Sequence, residues 1–214
     1  IKWLLKLAVS FILLSLAWVL IYKYFPIPYT PLMVIRYFEA EAKFKLRHQW
    51  VKLEKINPRL QLAVISAEDQ NFYSHYGFHF QAIKSAVLHN NRSKSLRGGS
   101  TISQQTAKNV FLWRQRSWLR KGLEAWFTML IELCWSKTRI LEVYLNSIEM
   151  GEGVFGAQAA AKYWFNKPAR SLTRDQAAAI AAILPNPRKY RARSSTAYIR
   201  KKKAWIIRQM KNAG

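Results

Sequence analysis

An acidic pair, Glu68 and Asp69, follows an apolar run over residues 60–67. The chain has only 11 acidic residues against 35 Lys and Arg, so a carboxylate held against apolar surface is expected to have a chemical role. A second isolated carboxylate is Glu124. No acidic residue lies between Asp69 and Glu124, and the intervening segment carries Lys84, Arg92, Lys94, Arg97, Lys108, Arg114, Arg116, Arg120 and Lys121. Two carboxylates that frame a cationic segment indicate acid–base chemistry on an anionic substrate.

A glycine pair precedes a predicted helix in Gly-Gly-Ser-Thr-Ile-Ser-Gln-Gln-Thr-Ala-Lys-Asn, residues 98–109. We expect this helix to begin at Ser100, so that its free amides and its positive dipole end suit a phosphate or pyrophosphate. Ser100 and Thr101 add hydroxyl groups, and Gln105 and Lys108 share one helical face. An ordinary capped helix without a ligand explains this pattern equally well.

Arg120 and Glu124 are four residues apart on the next predicted helix and therefore share a face. A solvated ion pair at this spacing would contribute only about 0.3–0.5 kcal/mol. However, residues 125–131 are apolar on nearly all sides, which is typical of a helix that is buried or lies against a membrane. We therefore interpret the charged first turn as the lining of a cleft.

Two other polar groups favour structural roles. His75 and His79 have a spacing that metals can use, but no cluster of further ligands supports them, so packing or hydrogen bonding is favoured. Glu142 lies in a segment that we interpret as structural, where it could brace a neighbouring helix by pairing with a buried cation.

The N-terminal segment predicts a membrane anchor. Residues 7–22 are uncharged and almost wholly apolar, and residues 3–6 extend them to the length of about 20 residues that crosses a bilayer. Lys23 and Tyr24 are typical flanking anchors. A cleaved signal peptide would be shorter and would end in small residues, and a buried soluble helix is the other alternative. Because the chain begins at Ile1 and not at Met, we expect residues to be missing before it.

The remaining pattern predicts an all-α or mainly-α chain. We expect an anchor over residues 1–25, a linker and membrane-proximal segment over 26–56, in which prolines mark extended chain, and a catalytic domain over 57–214. Helices are predicted to begin at the caps Asn57, Ser100, Ser117, Ser136 and Thr173, with a further helix over 80–89, one over 156–165 and a basic one over about 196–211. Residues 90–99 are predicted to form a loop.

The charge narrows the class of partner. A formal charge of +24 over 214 residues attracts polyanions, which include nucleic acid, anionic lipid and phosphorylated substrates. Half of the residues are hydrophobic, so the composition excludes a disordered chain. Cys134 is the single cysteine, so no intrachain disulfide can form, which fits either side of a membrane.

Several motifs occur in an order that resembles the peptidoglycan glycosyltransferases, the glycosyltransferase module of bacterial cell-wall synthases. They are Glu-Asp-x-x-Phe-x-x-His-x-Gly at 68–77, Gly-Gly-Ser-Thr-Ile-x-x-Gln-x-x-Lys-Asn at 98–109, Arg-Lys-x-x-Glu at 120–124, and Ile-Leu-Glu-x-Tyr-Leu-Asn at 140–146. Residues 153–163 and Leu-Pro-Asn-Pro at 184–187 continue the series. The chain has no Ser-x-x-Lys and no Lys-Thr-Gly of a transpeptidase, so it resembles the monofunctional biosynthetic form.

The resemblance implies a lysozyme-like helical lobe with a small apolar jaw that associates with the membrane. It implies Glu68 as the general base and Glu124 as a carboxylate that orients cations or assists the base. It assigns stabilisation of a leaving pyrophosphate to Lys108, Arg116 and Arg120, and positioning of the donor to Ser100 and Gln105. The further substrate-binding positions that it implies are Asp69, Phe72, His75, Gly77, Thr101, Asn109 and Lys121.

The substrate that the resemblance implies is lipid II, a disaccharide-peptide on undecaprenyl pyrophosphate. Membrane lipid is then a second partner, and other cell-wall synthesis or division proteins are further candidates, whereas nucleic acid is not. The catalytic domain is expected on the periplasmic face of the cytoplasmic membrane, behind a single-pass anchor. No cofactor is required for certain, and a divalent cation could assist at the pyrophosphate.

Other functions remain open at this point. Two carboxylates on a helical fold also suit a glycan hydrolase or lytic transglycosylase, although a neutral glycan has no need of the cationic segment. A membrane-tethered nucleic-acid binder fits the charge but leaves the acidic pair unexplained. A membrane-bound scaffold in a cell-wall assembly would keep the fold without polymerase activity.

Overall fold

The structure is a computed structural model that describes residues 2–39, 45–79, 99–115, 117–193 and 196–212. The helix predicted over 80–89, most of the loop predicted over 90–99, and Arg116 lie outside the described residues. Helices form most of the described chain, which confirms the mainly-α prediction. Their bounds are α1 Lys2–Tyr24, α2 Pro31–Phe38, α3 Pro58–Glu68, α4 Ile102–Phe111, α5 Trp118–Cys134, α6 Lys137–Ser147, α7 Ala157–Phe165, α8 Arg174–Ile183 and α9 Ala197–Asn212.

The helix starts follow the capping residues. Asn57, Ser117 and Ser136 each accept a hydrogen bond from a backbone N–H of the first turn, as predicted. Thr173 forms the predicted capping box with Gln176. The start predicted at Ser100 was one residue early, because Thr101 is the cap of α4 and forms a capping box with Gln104.

Part of the segment predicted as extended linker is helical. Pro31 is the first residue of α2, and the Thr30 side chain accepts a hydrogen bond from Met33 N at 3.3 Å. The expectation was wrong here because proline suits the first turn of a helix, where its missing N–H costs nothing. The prolines at 26 and 28 precede this helix without continuing into it.

A small sheet, which strand-like alternation did not predict, has the order β1-β3-β2. Its strands are β1 Arg47–His48, β2 Glu149–Gly151 and β3 Val154–Phe155, with β1 parallel and β2 antiparallel to β3. Asn146 at the end of α6 holds the chain after β1, because its side chain accepts from Val51 N at 3.0 Å and donates to Val51 O at 2.9 Å. The chain before α3 is thereby bound to the helical lobe.

The core lies around α8, whose residues from Ala177 to Ile183 are all buried. Its small side chains permit α3 and α9 to pack closely on either side. Helices α5 and α6 pack against α4. Hydrogen bonds from Gln105 to Glu68 and from Tyr144 to Gln105 bring α4 and α6 to the carboxyl end of α3. This packing places the acidic pair inside the molecule.

Helix α1 is long and apolar enough to cross a membrane, and most of its surface is exposed. One side docks against the helical lobe. Trp126 Nε1 donates to Ser15 Oγ at 3.1 Å, and Trp135 Nε1 donates to Val19 O at 2.9 Å. The Arg139 guanidinium donates to the carbonyls of Tyr22 and Phe25 at the end of α1, which supplies partners that the helix end lacks.

Candidate active site

A cleft of about 840 Å³ opens between α2, the carboxyl-terminal turn of α4 and the first turns of α5. The side chains that line it combine cations, indoles and one carboxylate. They are Leu32, Ser100, Lys108, Asn109, Leu112, Trp113, Arg114, Ser117, Trp118, Arg120, Lys121 and Glu124. The structure therefore brings together six of the predicted site residues, on two helices that meet in the fold. The cationic lining suits an anionic ligand.

The first two turns of α5 carry three of the charged groups that line this cleft. Glu124 is buried and pairs with Lys121, whose ammonium donates to Glu124 Oε1. Arg120 is 8% exposed, and its Nε has no hydrogen-bond partner among the described residues. A buried cation with an unsatisfied donor is costly, and an anion in the cleft would stabilise the charge of this guanidinium. The prediction that Arg120 and Glu124 line a cleft is confirmed.

Lys108 lies deep in the cleft. Burial lowers its pKa, the Glu124 and Glu68 carboxylates raise it, and Arg120 and Lys121 lower it. Lys108 is therefore within electrostatic range of both carboxylates that the sequence singled out, although Glu68 is not among the described residues that line the cleft.

Glu68 is the last residue of α3 and is partly buried. Gln105 Nε2 donates to Glu68 Oε2 at 2.9 Å, and the buried Tyr144 hydroxyl donates to Gln105 Oε1 at 3.2 Å. Burial raises the pKa of Glu68, Asp69 raises it further, and Gln105, Lys202 and Lys108 lower it. A carboxylate with a raised pKa and a fixed hydrogen-bond donor is suited to act as a general base.

Two residues around Glu68 were missed by the sequence reasoning. Tyr144 belongs to a motif that was interpreted as structural, yet its hydroxyl orients the amide of Gln105. Lys202 on α9 acts on the charge of Glu68, and the sequence could not separate it from the other cations of the basic tail. Gln70 Nε2 donates to Gln209 Oε1 at 3.4 Å, which ties α9 to the chain beside Glu68.

Asp69 does not face the cleft. Its buried carboxylate accepts from His75 Nε2 at 3.0 Å and from Ile102 N, the first amide of α4, at 3.0 Å. Gly77 N donates to His75 Nδ1 at 3.1 Å, so that nitrogen carries a lone pair and Nε2 carries the proton donated to Asp69. Asp69 and His75 thus hold the start of α4 against the end of α3, and their contact with substrate stays a prediction.

The anion site predicted at the start of α4 is corrected. The Ile102 amide is taken by Asp69, and the Gln104 amide donates to Thr101 Oγ1 at 3.1 Å. A protein carboxylate therefore occupies the positive end of this helix, where the prediction placed a phosphate. Thr101 is buried and donates to Gly77 O at 2.6 Å.

Phe72 and Gly77 likewise make contacts that serve the fold. Phe72 is fully buried, and the Lys137 ammonium lies over its ring at 4.7 Å. Gly77 has φ +81°, the left-handed region that favours glycine, and its carbonyl accepts from Thr101. The described contacts of Asp69, Phe72, His75 and Gly77 are thus structural, and they help to position Glu68 at the end of α3.

Replacing Gly77 with Ala is expected to destabilise the fold. The added Cβ would lie 2.8 Å from Thr128 Cγ2 and 2.9 Å from Glu132 Cγ, at a backbone conformation that L-residues rarely adopt. Strain and overpacking together predict a loss of about 2–5 kcal/mol in the free energy of unfolding, measured by denaturant titration. Gly122→Ala is the control, because nothing lies within 4 Å of its added Cβ and it is helical. An unchanged midpoint for Gly77→Ala would contradict this account.

Other acidic and imidazole groups were placed only partly by the sequence. Glu132, which was not singled out, has a side chain that is 6% exposed and accepts from Ser103 Oγ and from Lys137 Nζ. The cation that pairs with Glu142 is Arg139 on the same helix, and Leu53 N donates to Glu142 Oε2 at 2.8 Å. His79 hydrogen-bonds to Asn71 Nδ2 at 2.8 Å, and no group of three metal-ligating side chains occurs in the described part of the chain.

Comparison with known proteins agrees with this geometry. A family model described as Transglycosylase matches residues 36–211. Three relatives are each named biosynthetic peptidoglycan transglycosylase. The protein of Mannheimia succiniciproducens is 50% identical over 208 residues, which cover 95% of this chain and 85% of the relative. The Pseudomonas syringae protein is 53% identical over 200 residues, covering 92% and 84%. The Aeromonas hydrophila protein is 56% identical over 170 residues, covering 79% and 72%.

Proposed function

The chain belongs to the transglycosylase family and is a peptidoglycan glycosyltransferase, and from that premise we propose that Glu68 is the base with which it polymerises lipid II. The observation that carries the proposal is that one helix, α4, serves both groups: Gln105 donates to Glu68 Oε2 at 2.9 Å, and Lys108, one turn further on, lines the cationic cleft. A base and a cationic cleft connected by one helix can serve the two halves of a single displacement.

Glu68 takes the proton from the 4-hydroxyl of the acceptor GlcNAc in this proposal. The resulting oxygen nucleophile attacks C1 of the donor MurNAc, the bond from C1 to the pyrophosphate oxygen breaks, and the configuration inverts. The growing chain is thereby transferred from its undecaprenyl pyrophosphate to the acceptor. Burial raises the pKa of Glu68, so the carboxylate is more basic than an exposed glutamate while Gln105 keeps it oriented.

The cations of the cleft stabilise the leaving group. Negative charge accumulates on the pyrophosphate as the bond to C1 breaks, and fixed donors aimed at that charge lower the barrier. Lys108 and the Arg120 guanidinium line the cleft and can make this contact. Glu124 holds Lys121 and acts on Lys108, so its role is to position cations. Ser100 and Asn109 line the same cleft and can bind the donor.

The described residues do not form a metal site of their own. Glu124 is the only carboxylate among the described residues that line the cleft, and it is already paired with Lys121. A divalent cation would have to take most of its ligands from the pyrophosphate, since hard cations require several oxygen donors. No step of the mechanism above depends on a metal.

We also propose that α1 crosses the cytoplasmic membrane once and keeps the catalytic lobe on its outer face. Support comes from the length and composition of α1 and from the docking of its carboxyl end against α5 and α6. Exposed Trp118 and Leu119 at the cleft, together with exposed Tyr24 and Phe25, fit an interface with lipid.

The test compares two substrates. Labelled lipid II should be converted into glycan strands that lysozyme digests, whereas purified glycan strands should remain intact. Release of fragments from the strands, with no polymer from lipid II, would overturn the proposal in favour of a lytic enzyme.

The pH dependence of the reaction should report Glu68. The Gln105 hydrogen bond lowers the pKa of Glu68, so Gln105→Ala should raise that pKa further. Because the base acts when it is ionised, the acidic limb of the profile of log(kcat/KM) against pH should move to higher pH. Gln70→Ala is the matched control, since that amide contacts Ser66 O and Gln209. An unshifted limb in Gln105→Ala would argue against Glu68 as the titrating base.

A further inference from the structure

A second concavity, an apolar groove of about 680 Å³, lies on the opposite side of α2 from the cleft. Its apolar lining consists of Tyr29, Met33, Val34, Tyr37, Phe38 and Leu46. The volume falls within the range of about 300–1,000 Å³ that is usual for small-molecule sites. The catalytic proposal assigns no role to this groove.

Helix α2 is the shared wall of the two concavities. Leu32 lines the cleft, and the next residues, Met33 and Val34, line the groove. Successive helical residues point about 100° apart, and a helix with its side chains is only about 10–12 Å across. A ligand that leaves the cleft over α2 therefore reaches the groove within the width of one helix.

Polar contacts hold α2 in this position. Arg36 Nη2 donates to the buried carboxylate of Glu149 at 3.3 Å, which binds α2 to the small sheet. Glu39, directly after α2, pairs with Arg114 at the edge of the cleft. These contacts fix the polar side of the helix, so its apolar side is a preformed surface.

The apolar side of α2 faces a place where lipid is expected. Val34, Tyr37 and Phe38 are 45%, 61% and 79% exposed, and Phe25 at the end of α1 is 63% exposed. Only a short connection separates the end of α1 from the start of α2, so the groove lies close to the level at which the anchor leaves the membrane. Exposed Lys45 and Arg47 line the groove as well, and such cations are typical of the interfacial region.

From these observations we infer that the groove between α2 and β1 binds the first part of the polyprenyl chain of a lipid-linked substrate whose pyrophosphate lies in the cleft. The inference rests on the proposed function, which supplies a substrate that joins an anionic diphosphate to a long apolar chain. An isoprenoid chain has no polar groups to satisfy, and its methyl branches suit the aromatic and branched lining of the groove. Bilayer phospholipid and an apolar helix of another protein are the competing occupants.

Substrates with lipid chains of different length distinguish binding in the groove from an effect on the reaction itself. Val34→Trp fills the groove at a half-exposed position, so the fold should tolerate it. We expect it to raise KM for undecaprenyl-linked lipid II roughly five- to tenfold, because the lipid chain loses apolar contacts with the groove. With a dimethylallyl-linked analogue, whose single five-carbon unit is too short to cross the width of α2 and reach the groove, both kcat and KM should stay within about twofold of the unchanged protein.

The matched control is Leu133→Trp, which places the same indole on an exposed apolar position of α5 outside the groove. It should leave the kinetics with both substrates unchanged. An equal loss with long and short chains in Val34→Trp, or no loss with either, would overturn the inference. If the unchanged protein polymerises neither substrate, the proposed function itself fails.

A binding readout distinguishes the occupants. A photoreactive phenylalanine at Tyr37, in full-length protein reconstituted in vesicles, should crosslink to undecaprenyl-linked lipid II, and excess undecaprenyl pyrophosphate should suppress the product. Crosslinking to phospholipid alone, unaffected by that competitor, would show bilayer lipid in the groove and would contradict the inference.

Discussion

Glu68→Gln should lower kcat for lipid II polymerisation by about 10²–10⁴-fold, the range expected when a general base is removed. The amide keeps the shape of the side chain and can still accept from Gln105, whose Nε2 lies 2.9 Å from Glu68 Oε2. Binding of lipid-linked substrate should therefore persist, and the loss should fall on the chemical step. Single-turnover polymerisation with separately measured substrate binding checks this result.

The Glu68→Gln variant should lose activity but should not lose folding stability. Burial raises the pKa of Glu68, so the folded state binds that proton more tightly than the unfolded chain and loses stability as pH rises through the two pKa values. Glutamine has no charge to desolvate, so the variant should be at least as stable as the unchanged protein at neutral pH. Glu152→Gln, at an exposed carboxylate, is the control and should leave both properties unchanged. Near-normal chain extension by Glu68→Gln would exclude Glu68 as the base.

Lys108→Met should reduce kcat and kcat/KM together by about 10²–10³-fold, as expected for loss of one fixed charge that stabilises a transition state. Methionine keeps the length and the apolar stem of the side chain, so packing should be preserved. Removing the cation also removes a contribution that lowers the pKa of Glu68. The acidic limb of the pH profile should therefore move to higher pH in the same variant.

Lys167→Met is the matched control, because this lysine is exposed and does not line the cleft. Lys108→Arg should recover part of the activity, since a charge returns with different geometry. A rise in KM with kcat unchanged would contradict stabilisation of the leaving group and would assign Lys108 to ground-state binding. Steady-state kinetics with purified lipid II separates these outcomes.

Much of the fold was predictable because local signals agree with the tertiary structure. The caps at Asn57, Ser117, Ser136 and Thr173 begin helices as predicted, since a side-chain acceptor for the first amides is a local requirement. The small sheet was not predicted. Its strands are two or three residues long and too short to show alternation, and they are held by long-range contacts such as those of Asn146.

In the candidate site, too, features set by local sequence were predicted and features set by long-range contacts were not. Residue type and spacing identified Glu68, Lys108, Arg120 and Glu124, because charged groups beside apolar runs are conspicuous in a sequence. Spacing could not show that the carboxylate of Asp69 would turn inward and take the first amide of α4, since that contact joins residues 33 positions apart. The predicted anion site at that helix end therefore failed, although the motif around it was recognised.

The hydrogen bonds of Arg139 and Trp135 to the backbone of α1 fix how the helical lobe is oriented relative to its anchor. Three carbonyls of the anchor, those of Val19, Tyr22 and Phe25, are bound to the catalytic lobe, which restrains both tilt and rotation of one against the other. With α1 inserted as proposed, the cleft is held at a fixed height above the lipid and in a fixed orientation about the axis of α1. Head groups that diffuse in the plane then meet an opening already level with them, so less orientational entropy is lost at each encounter.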